Sequence, residues 1–545
     1  RDMRHTLLAA LMTLCAVTAA TAAPLGVTVN GVMLDSAGSS DTGWAYEPAT
    51  SNLILSGVGP FTISGTNESG KVQIGVQEGV TSTVTLSNLT LRATYDYDCA
   101  FALETNACVS LVLAGTNVLA SGSNRAGLEV AAGRTLSITN APGDDAAMLF
   151  ATGGYGGAGI GGAYQMAGGT MTINGGQIAA YGNYQGAGIG GGYAGGGGTV
   201  TINGGTVKAT GGSHAAGIGS GYNGVAGGGW VTINGGEVTA AGGDEGGAGV
   251  GGARSSIGGV DGGTSGGTVN ITGGKVTATG DGGGAGIGGG GDYNGVGGDG
   301  GTVTISGGAV VAKGGSRAAG IGGGGGRNVS GAGGAGATVA ISGGTVFAQG
   351  DGGAADIGPG KSGTSPQPNT FTGGTISLAT STILSKPTNS NAEQVFCAVV
   401  PGFNTNEAVT IVGLGGYGVH DLFADENGCL YLWLPNGTYA FTANGRDCTV
   451  KIENGVGPVG VTVNGEDVAS GPADPGAGWS YDATTFKLTL SGAGPYTLSG
   501  FNGAGAVCVY ADYDSAPAVT LSNLTLRATG ENQCAFTLGG NSHVS

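Results

Sequence analysis

The sequence predicts an all-β protein: a right-handed parallel β-helix solenoid, followed by a small β-sandwich domain and a truncated second solenoid module. Three observations point there. The first is a recurring pattern between Gly153 and Thr380, Gly-Thr-Val-Thr-Ile-Asn-Gly-Gly-x-Val-x-Ala, then a short turn, then Ala-Gly-Ile-Gly-Gly. It is clearest at Gly198–Ala209, Gly229–Thr239 and Gly301–Ala312. The second is its period. Ile160, Ile189, Ile218, Val250, Ile287, Ile321 and Ile357 follow one another at 29, 29, 32, 37, 34 and 36 residues. Ile173, Ile202, Ile233, Ile271, Ile305, Ile341 and Phe371 run in step with them, so each repeat is one structural unit. The third is alternation inside the unit. Val200 and Ile202 point one way and Thr199 and Thr201 the other, which is strand periodicity.

Within a unit, Gly204-Gly205 turns the chain, Val207 and Ala209 belong to a second short strand, and Ala187-Gly188-Ile189 forms a third. Three short strands separated by glycine turns make one coil. A lone coil cannot bury its apolar side, whereas coils stacked about 4.8 Å apart place Ile on Ile and Val on Val. The extra residues of the longer units fall after Ala-Gly-Ile-Gly, as at Asp292–Gly300, which marks a loop leaving the coil on one face. The 125 glycines show no Gly-x-y triplet, so this is not collagen. A disordered glycine linker would not hold Val and Ile in register over seven repeats. The Gly-Gly-x-Gly-x-Asp calcium repeat is absent, although Asp281, Asp299 and Asp351 fall in loops.

In chain order, residues 1–23 read as a secretory signal: Met3-Arg4-His5, an apolar run from Leu7 to Val17, and small residues at Ala20-Thr21-Ala22. The run is too short to span a bilayer. Residues 24–122 form a strand-rich capping module, with Gly26–Gly31, Trp44, Leu53–Gly57 and Val84–Leu91 as its landmarks. A stack needs such a closed terminus. The glycine-rich β-helix follows at 123–382. Residues 383–456 begin with a linker, Ser385–Asn391, and continue as the small sandwich, whose strands are Val409–Ile411, Leu430–Leu434 and Thr438–Phe441. Residues 457–545 repeat the beginning. Val519–Thr529 is identical to Val84–Thr94, 435 positions earlier, and Trp479 matches Trp44. The second copy stops in mid-coil, so a longer protein with at least two arrays is expected.

Net charge is −17 and only 10% of residues are charged, a poor basis for binding nucleic acid or anionic membrane. Seven cysteines follow the signal without a Cys-x-x-Cys pair, so no metal or other cofactor is expected, and both free thiols and disulfides remain open.

No enzyme is expected. His5, His214, His420 and His543 are too scattered for a Ser-His-Asp arrangement. The Gly-x-Gly strings lack the helix and Gly-Lys-Ser/Thr ending of a phosphate loop. Clustered carboxylates serve polysaccharide lyases and hydrolases on β-helices, but Asp144-Asp145 and Asp244-Glu245 read as solvated turns, and Lys208, Lys275 and Lys313 as a solubilising edge. One column stands out. Four residues after the Ile of Ala-Gly-Ile come Tyr164, Tyr193 and Tyr222, then Arg254, while Tyr293 lies two residues further along its loop. These five are the candidate carbohydrate-binding residues: aromatic faces suit the apolar faces of sugars. The other reading is that the rings cover the loops and pack on one another. Thr170/Thr172, Thr199/Thr201 and Thr302/Thr304 form an outward threonine column, interrupted by Trp230 and Asn270 and ordinary for strands. Asn174, Asn203 and Asn234 are expected to form an amide ladder inside the turn.

The pairing of Gly-Thr-Val-Thr-Ile-Asn-Gly-Gly (Gly198–Gly205) with Ala-Gly-Ile-Gly-Gly-Gly (Ala187–Gly192) resembles the glycine-rich, pectate-lyase-like solenoid repeats of bacterial secreted or surface-attached proteins, adhesin-like or carbohydrate-binding. Leu430–Tyr439 is similar to the small sandwich between such arrays. The resemblance covers nearly the whole mature chain and carries no catalytic residue over. It implies an exported or cell-surface structural protein making weak, multivalent contacts with polysaccharide or with host or neighbouring surfaces. The alternatives are a dedicated carbohydrate-binding module and a polysaccharide lyase or glycoside hydrolase.

Overall fold

A computed structural model describes residues 23–93, 95–257, 260–292, 295–326, 332–361, 369–371, 375–378, 395–404, 407–414, 422–424, 428–452, 460–468, 472, 474, 476–482, 487–502, 507–512, 516–526 and 536–538. Residues 1–22 of the expected signal, the linker 385–391, Tyr293, His5, His420 and His543 lie outside the described residues.

The chain is a parallel β-helix. Three short strands per coil build three ladders of parallel pairs. The first face runs through Thr170–Ile173, Thr199–Ile202, Trp230–Ile233, Thr268–Ile271, Thr302–Ile305 and Thr338–Ile341. Its register sets Ile173, Ile202, Ile233, Ile271, Ile305, Ile341 and Phe371 on one another. The second face stacks Ile178 on Val207, Val238, Val276, Val310 and Val346, with an alanine column from Ala180 to Ala348 beside it. The third face is the shortest, an Ile-Gly or Val-Gly pair per coil from Ile160-Gly161 to Ile357-Gly358. The isoleucines and valines of all three columns are at most 2% exposed. Alternation therefore works as expected: every second strand residue enters one continuous core, and each buried aliphatic side chain stabilises the stack by roughly 1.5–3 kcal/mol.

The glycine of the third face is obligatory. Gly190 holds φ +137°, and a Cβ there would meet the carbonyl oxygen of Gly219, one coil on, at 2.0 Å. Gly161, Gly219, Gly251, Gly288 and Gly322 repeat that conflict at 1.9–2.1 Å. The preceding glycine is equally enclosed: a Cβ on Gly188 would lie 2.5 Å from the backbone nitrogen of Thr210.

Before the coils settle into this form, the chain is antiparallel. Pro24–Val29 pairs with Val32–Asp35 and Phe61–Asn67, and Trp44–Glu47 with Asn52–Leu55. Trp44, Tyr46 and Phe61 are buried there, filling the core with larger side chains. Parallel pairing starts where Asn52–Leu55 meets Gln73–Val76. The longest insertion after the third face is an antiparallel hairpin, Arg254–Ile257 with Val260–Gly263. Beyond the solenoid, Phe396–Pro401 pairs with Cys429–Leu434, and Gly437–Ala443 with Arg446–Ile452, all antiparallel around a core of their own. From Val461 the opening arrangement returns, with Trp479 and Tyr496 buried as Trp44 and Phe61 are. Among the described residues, Cys99, Cys108 and Cys448 are free thiols.

The asparagine ladder forms, but on the solvent side of the turn. Asn203 Nδ2 donates to Asn174 Oδ1 at 2.8 Å and Asn234 Nδ2 to Asn203 Oδ1 at 2.9 Å, all three side chains exposed. The interior of the turn has no space for them, because Gly204 and Gly205 press against the coil below.

Gly190→Ala should cost about 1–3 kcal/mol through backbone conformation alone, and more through the opened ladder, read as a lowered thermal midpoint. Lys208→Ala, an outward position on the second face, should stay within about 0.5 kcal/mol.

Candidate functional site

The third face is so short that the loops on either side of it meet. After Ile189, the Tyr193 N–H donates to the Gly156 carbonyl of the loop preceding Ile160, at 2.7 Å. Tyr164 is tied in the same way to Asn124 at 3.0 Å and Tyr222 to Gln185 at 2.9 Å. Side chains from both loops therefore converge on one corner of the coil.

On that corner Tyr164 and Tyr193 stack with ring centroids 4.7 Å apart and planes 16° from parallel. Tyr222 continues the column at 5.9 Å, tilted by 52°. All three are half-buried. A second column, overlooked in the sequence, runs beside it: Tyr155 and Tyr184 stack at 5.2 Å and 19°. These two are the more exposed, at 46% and 42%. His214 joins the columns, edge-on to Tyr184 at 5.1 Å and tilted against Tyr222 at 4.7 Å. The signal for the second column was present: Tyr155 and Tyr184 each stand five residues before the third-face isoleucine, and His214 stands four before it. Counting only forward from the isoleucine passes over them. Tyr184 sits at φ +46°, a left-handed conformation rare for a bulky side chain. The turn that lifts this ring outward thus carries local strain.

The stacking changes what the strip can do. Rings 4.7–5.2 Å apart leave no gap for a ligand, so the inner faces are occupied by neighbouring rings. The surface offers ring edges, phenolic hydroxyls and the free faces at the column ends.

Arg254 belongs to an ion network at the end of the strip. Its Nε contacts Asp292 Oδ1 at 3.0 Å and its Nη1 contacts Glu245 Oε2 at 3.1 Å. Glu245 Oε2 also lies 3.3 Å from His214 Nδ1. Asp292 is buried and also accepts the Gly295 N–H. Arg254 therefore anchors the hairpin that it begins. Burial pushes the His214 imidazole below its usual range. The Glu245 carboxylate works against that shift, and Arg254, sharing the same carboxylate, works with it.

The adjacent acids have structural partners. Asp144 accepts the Gly115 N–H at 2.7 Å, and Asp145 accepts from Asn140 Nδ2 at 3.2 Å. Lys275 pairs with Glu237 at 2.7 Å. Lys208, Lys275 and Lys313 stand at three different register positions of the second face. Among the described residues, no group of three or more His, Cys, Asp or Glu side chains is placed to hold a metal ion.

A second polar cluster lies on the third face of the early coils. Glu129 occupies the register position that glycine holds from Gly161 onward. Its buried carboxylate contacts Arg125 Nε at 2.8 Å and Arg134 Nη1 at 3.6 Å. Burial pushes the Glu129 carboxyl above its ordinary range, with the two guanidinium groups opposing the rise. The neighbouring Cys99 thiol is pushed up to about 12, first by burial and then by the Glu129 carboxylate. It is therefore an inert thiol.

A β-helix repeat family model matches residues 172–193, 200–222, 231–254, 269–291 and 303–325. Each matched stretch joins a first-face strand to the third-face pair and the loop after it, so the chain is a parallel β-helix repeat protein. No curated protein and no solved structure matches it.

The folded state favours neutral His214, so its contribution to stability is complete above its ordinary pKa of 6.5 and is lost as pH falls through the lower folded value. Between about pH 8 and pH 5, His214→Gln should remove that part of the decline in thermal midpoint. Glu129, whose folded pKa is raised, acts with the opposite sign in both proteins and cancels from the comparison.

Proposed function

We propose that this is an exported, surface-displayed structural β-helix of adhesin-like character, making weak repeated contacts with extended polysaccharide or with neighbouring cell surfaces. The observation carrying this reading is the double aromatic column, Tyr155–Tyr184 beside Tyr164–Tyr193–Tyr222, on consecutive coils. The coil rise repeats the same hydroxyl and ring edge about every 4.8 Å, and a stiff scaffold holds the row straight. Each contact is weak, and repetition along one polymer multiplies them by avidity. The low share of charged residues, 10%, and the net charge of −17 favour a neutral polymer over nucleic acid or anionic membrane. On this reading the protein binds without turnover, and it does not insert in a membrane once the signal is removed.

The competing role, rings that only pack the loops, is separated by substitution of the exposed pair. Tyr155→Phe with Tyr184→Phe keeps both rings and removes two hydroxyls, each supplying roughly 0.5–1.5 kcal/mol of hydrogen bonding. Retention on polysaccharide affinity gels should fall several-fold. Tyr155→Ala with Tyr184→Ala should lower it tenfold or more, about 1.4 kcal/mol. Unchanged retention in the folded alanine pair would leave the columns as packing alone.

A further inference from the structure

The early coils carry a cavity that the tyrosine columns do not use. It measures about 460 Å³ and opens on the outer side of the third face, where Asn52–Leu55, Gln73–Val76 and Phe101–Leu103 lie side by side. That volume falls in the usual range for small-ligand sites, about 300–1,000 Å³. Its floor is Ile54, Gly75 and Ala102, which share one register row. Gly75 is the low point: a Cβ built there would meet nothing within 4 Å. Unlike the glycines of the main array, it has neither positive φ nor a crowding neighbour.

The walls are polar. Asn52, Gln73 and Gln77 bring three carboxamides. Gln73 is held in place, since its Oε1 accepts the Cys99 N–H at 3.1 Å. Glu104 and Arg125 close the opposite side. Arg125 is itself matched by Glu129, and the four charges Glu104, Arg125, Glu129 and Arg134 sum to zero. The charge at the site is balanced, which favours a neutral polar ligand over an anion or a cation.

The chain supplies its own comparison. The module beginning near Val461 repeats the same strand pairing 435 residues on: Lys487 pairs with Cys508 and Thr489 with Tyr510, as Asn52 pairs with Gln73 and Ile54 with Gly75. There Tyr510 replaces Gly75 and Lys487 replaces Asn52, and the Lys487 ammonium lies 3.5 Å from the Tyr510 ring centroid. One copy leaves the row open and the other covers it with a ring and a cation, on the same backbone.

We propose that the open copy is a binding pocket for a single neutral sugar ring. The C–H face lies on the Ile54–Gly75–Ala102 floor. The hydroxyls meet the carboxamides of Asn52, Gln73 and Gln77 and the Glu104 carboxylate. The pocket is separate from the tyrosine columns and stands or falls without them.

The test uses the full chain and ligand-observed saturation-transfer NMR with a panel of free neutral hexoses, with free amino acids and inorganic phosphate as comparators. A hexose should give saturation transfer and millimolar affinity. Gly75→Tyr, which installs the residue found in the second copy, should fold with an unchanged melting temperature and weaken that affinity at least tenfold. Its retention on polysaccharide gels through the tyrosine columns should not change. Gln77→Ala, an exposed wall position, should weaken hexose binding several-fold and decides the matter alone if Gly75→Tyr melts early. Transfer from no hexose, transfer from amino acids or phosphate only, or equal hexose affinity in the variants would overturn the proposal. So would hexose binding lost in the Tyr155→Ala/Tyr184→Ala protein and kept in Gly75→Tyr.

Discussion

Coils hydrogen-bonded at strand spacing leave no room for a Cβ at two positions of each third-face segment, and the rest of the molecule is arranged around that restriction. Gly188 and Gly190 flank Ile189, which is buried between them. The corner is so tight that its strand is two residues long. The turns on either side are drawn together, and Tyr193 reaches back to hydrogen-bond Gly156. The aromatic strip exists because of this closeness. Side chains from two separate loops could not form parallel columns if the third face were as wide as the first.

Charge is handled with the same economy of space. Where a polar side chain does enter the third face, at Glu129, it comes with two guanidinium groups. Arg254 reverses the arrangement at the far end of the strip, one guanidinium between Glu245 and the buried Asp292. Isolated charges buried this way would be strongly unfavourable, and pairing offsets much of that cost. The first network stands where the glycine-poor early coils hand over to the glycine-rich array, and the second where the longest hairpin leaves it. Both mark changes of coil shape.

The array was legible because its information is local and repeated. Ile202, Val200 and Val207 announce their inward direction by alternation, and the repeat fixes their partners. The short third face was also visible, in Ala-Gly-Ile-Gly. What escaped was whatever the period does not carry. Tyr155 ends a second-face strand and Tyr184 sits in the turn after one, both before the isoleucine, and their column ends in a histidine displaced by one residue. Of the two roles open to Tyr164, Tyr193 and Tyr222 in the sequence, sugar contact or ring packing, the structure shows the rings one coil apart packed on each other. Arg254 looked like a member of that column and is committed to two carboxylates. The early cavity has no motif at all, because Asn52, Gln73, Glu104 and Arg125 come from separate coils whose lengths differ.

The strands lie across the long axis of the stack, so the backbone hydrogen bonds point along it. A rod of this kind, held at one end and pulled at the other, is loaded on those bonds directly and yields by peeling one turn at a time. Each 29-residue turn that lets go frees roughly 100 Å of extended chain in place of the ~4.8 Å it occupied. Stiff at rest and greatly extensible under tension, such a tether would absorb a sudden drag without parting, and would rewind from any turn still formed.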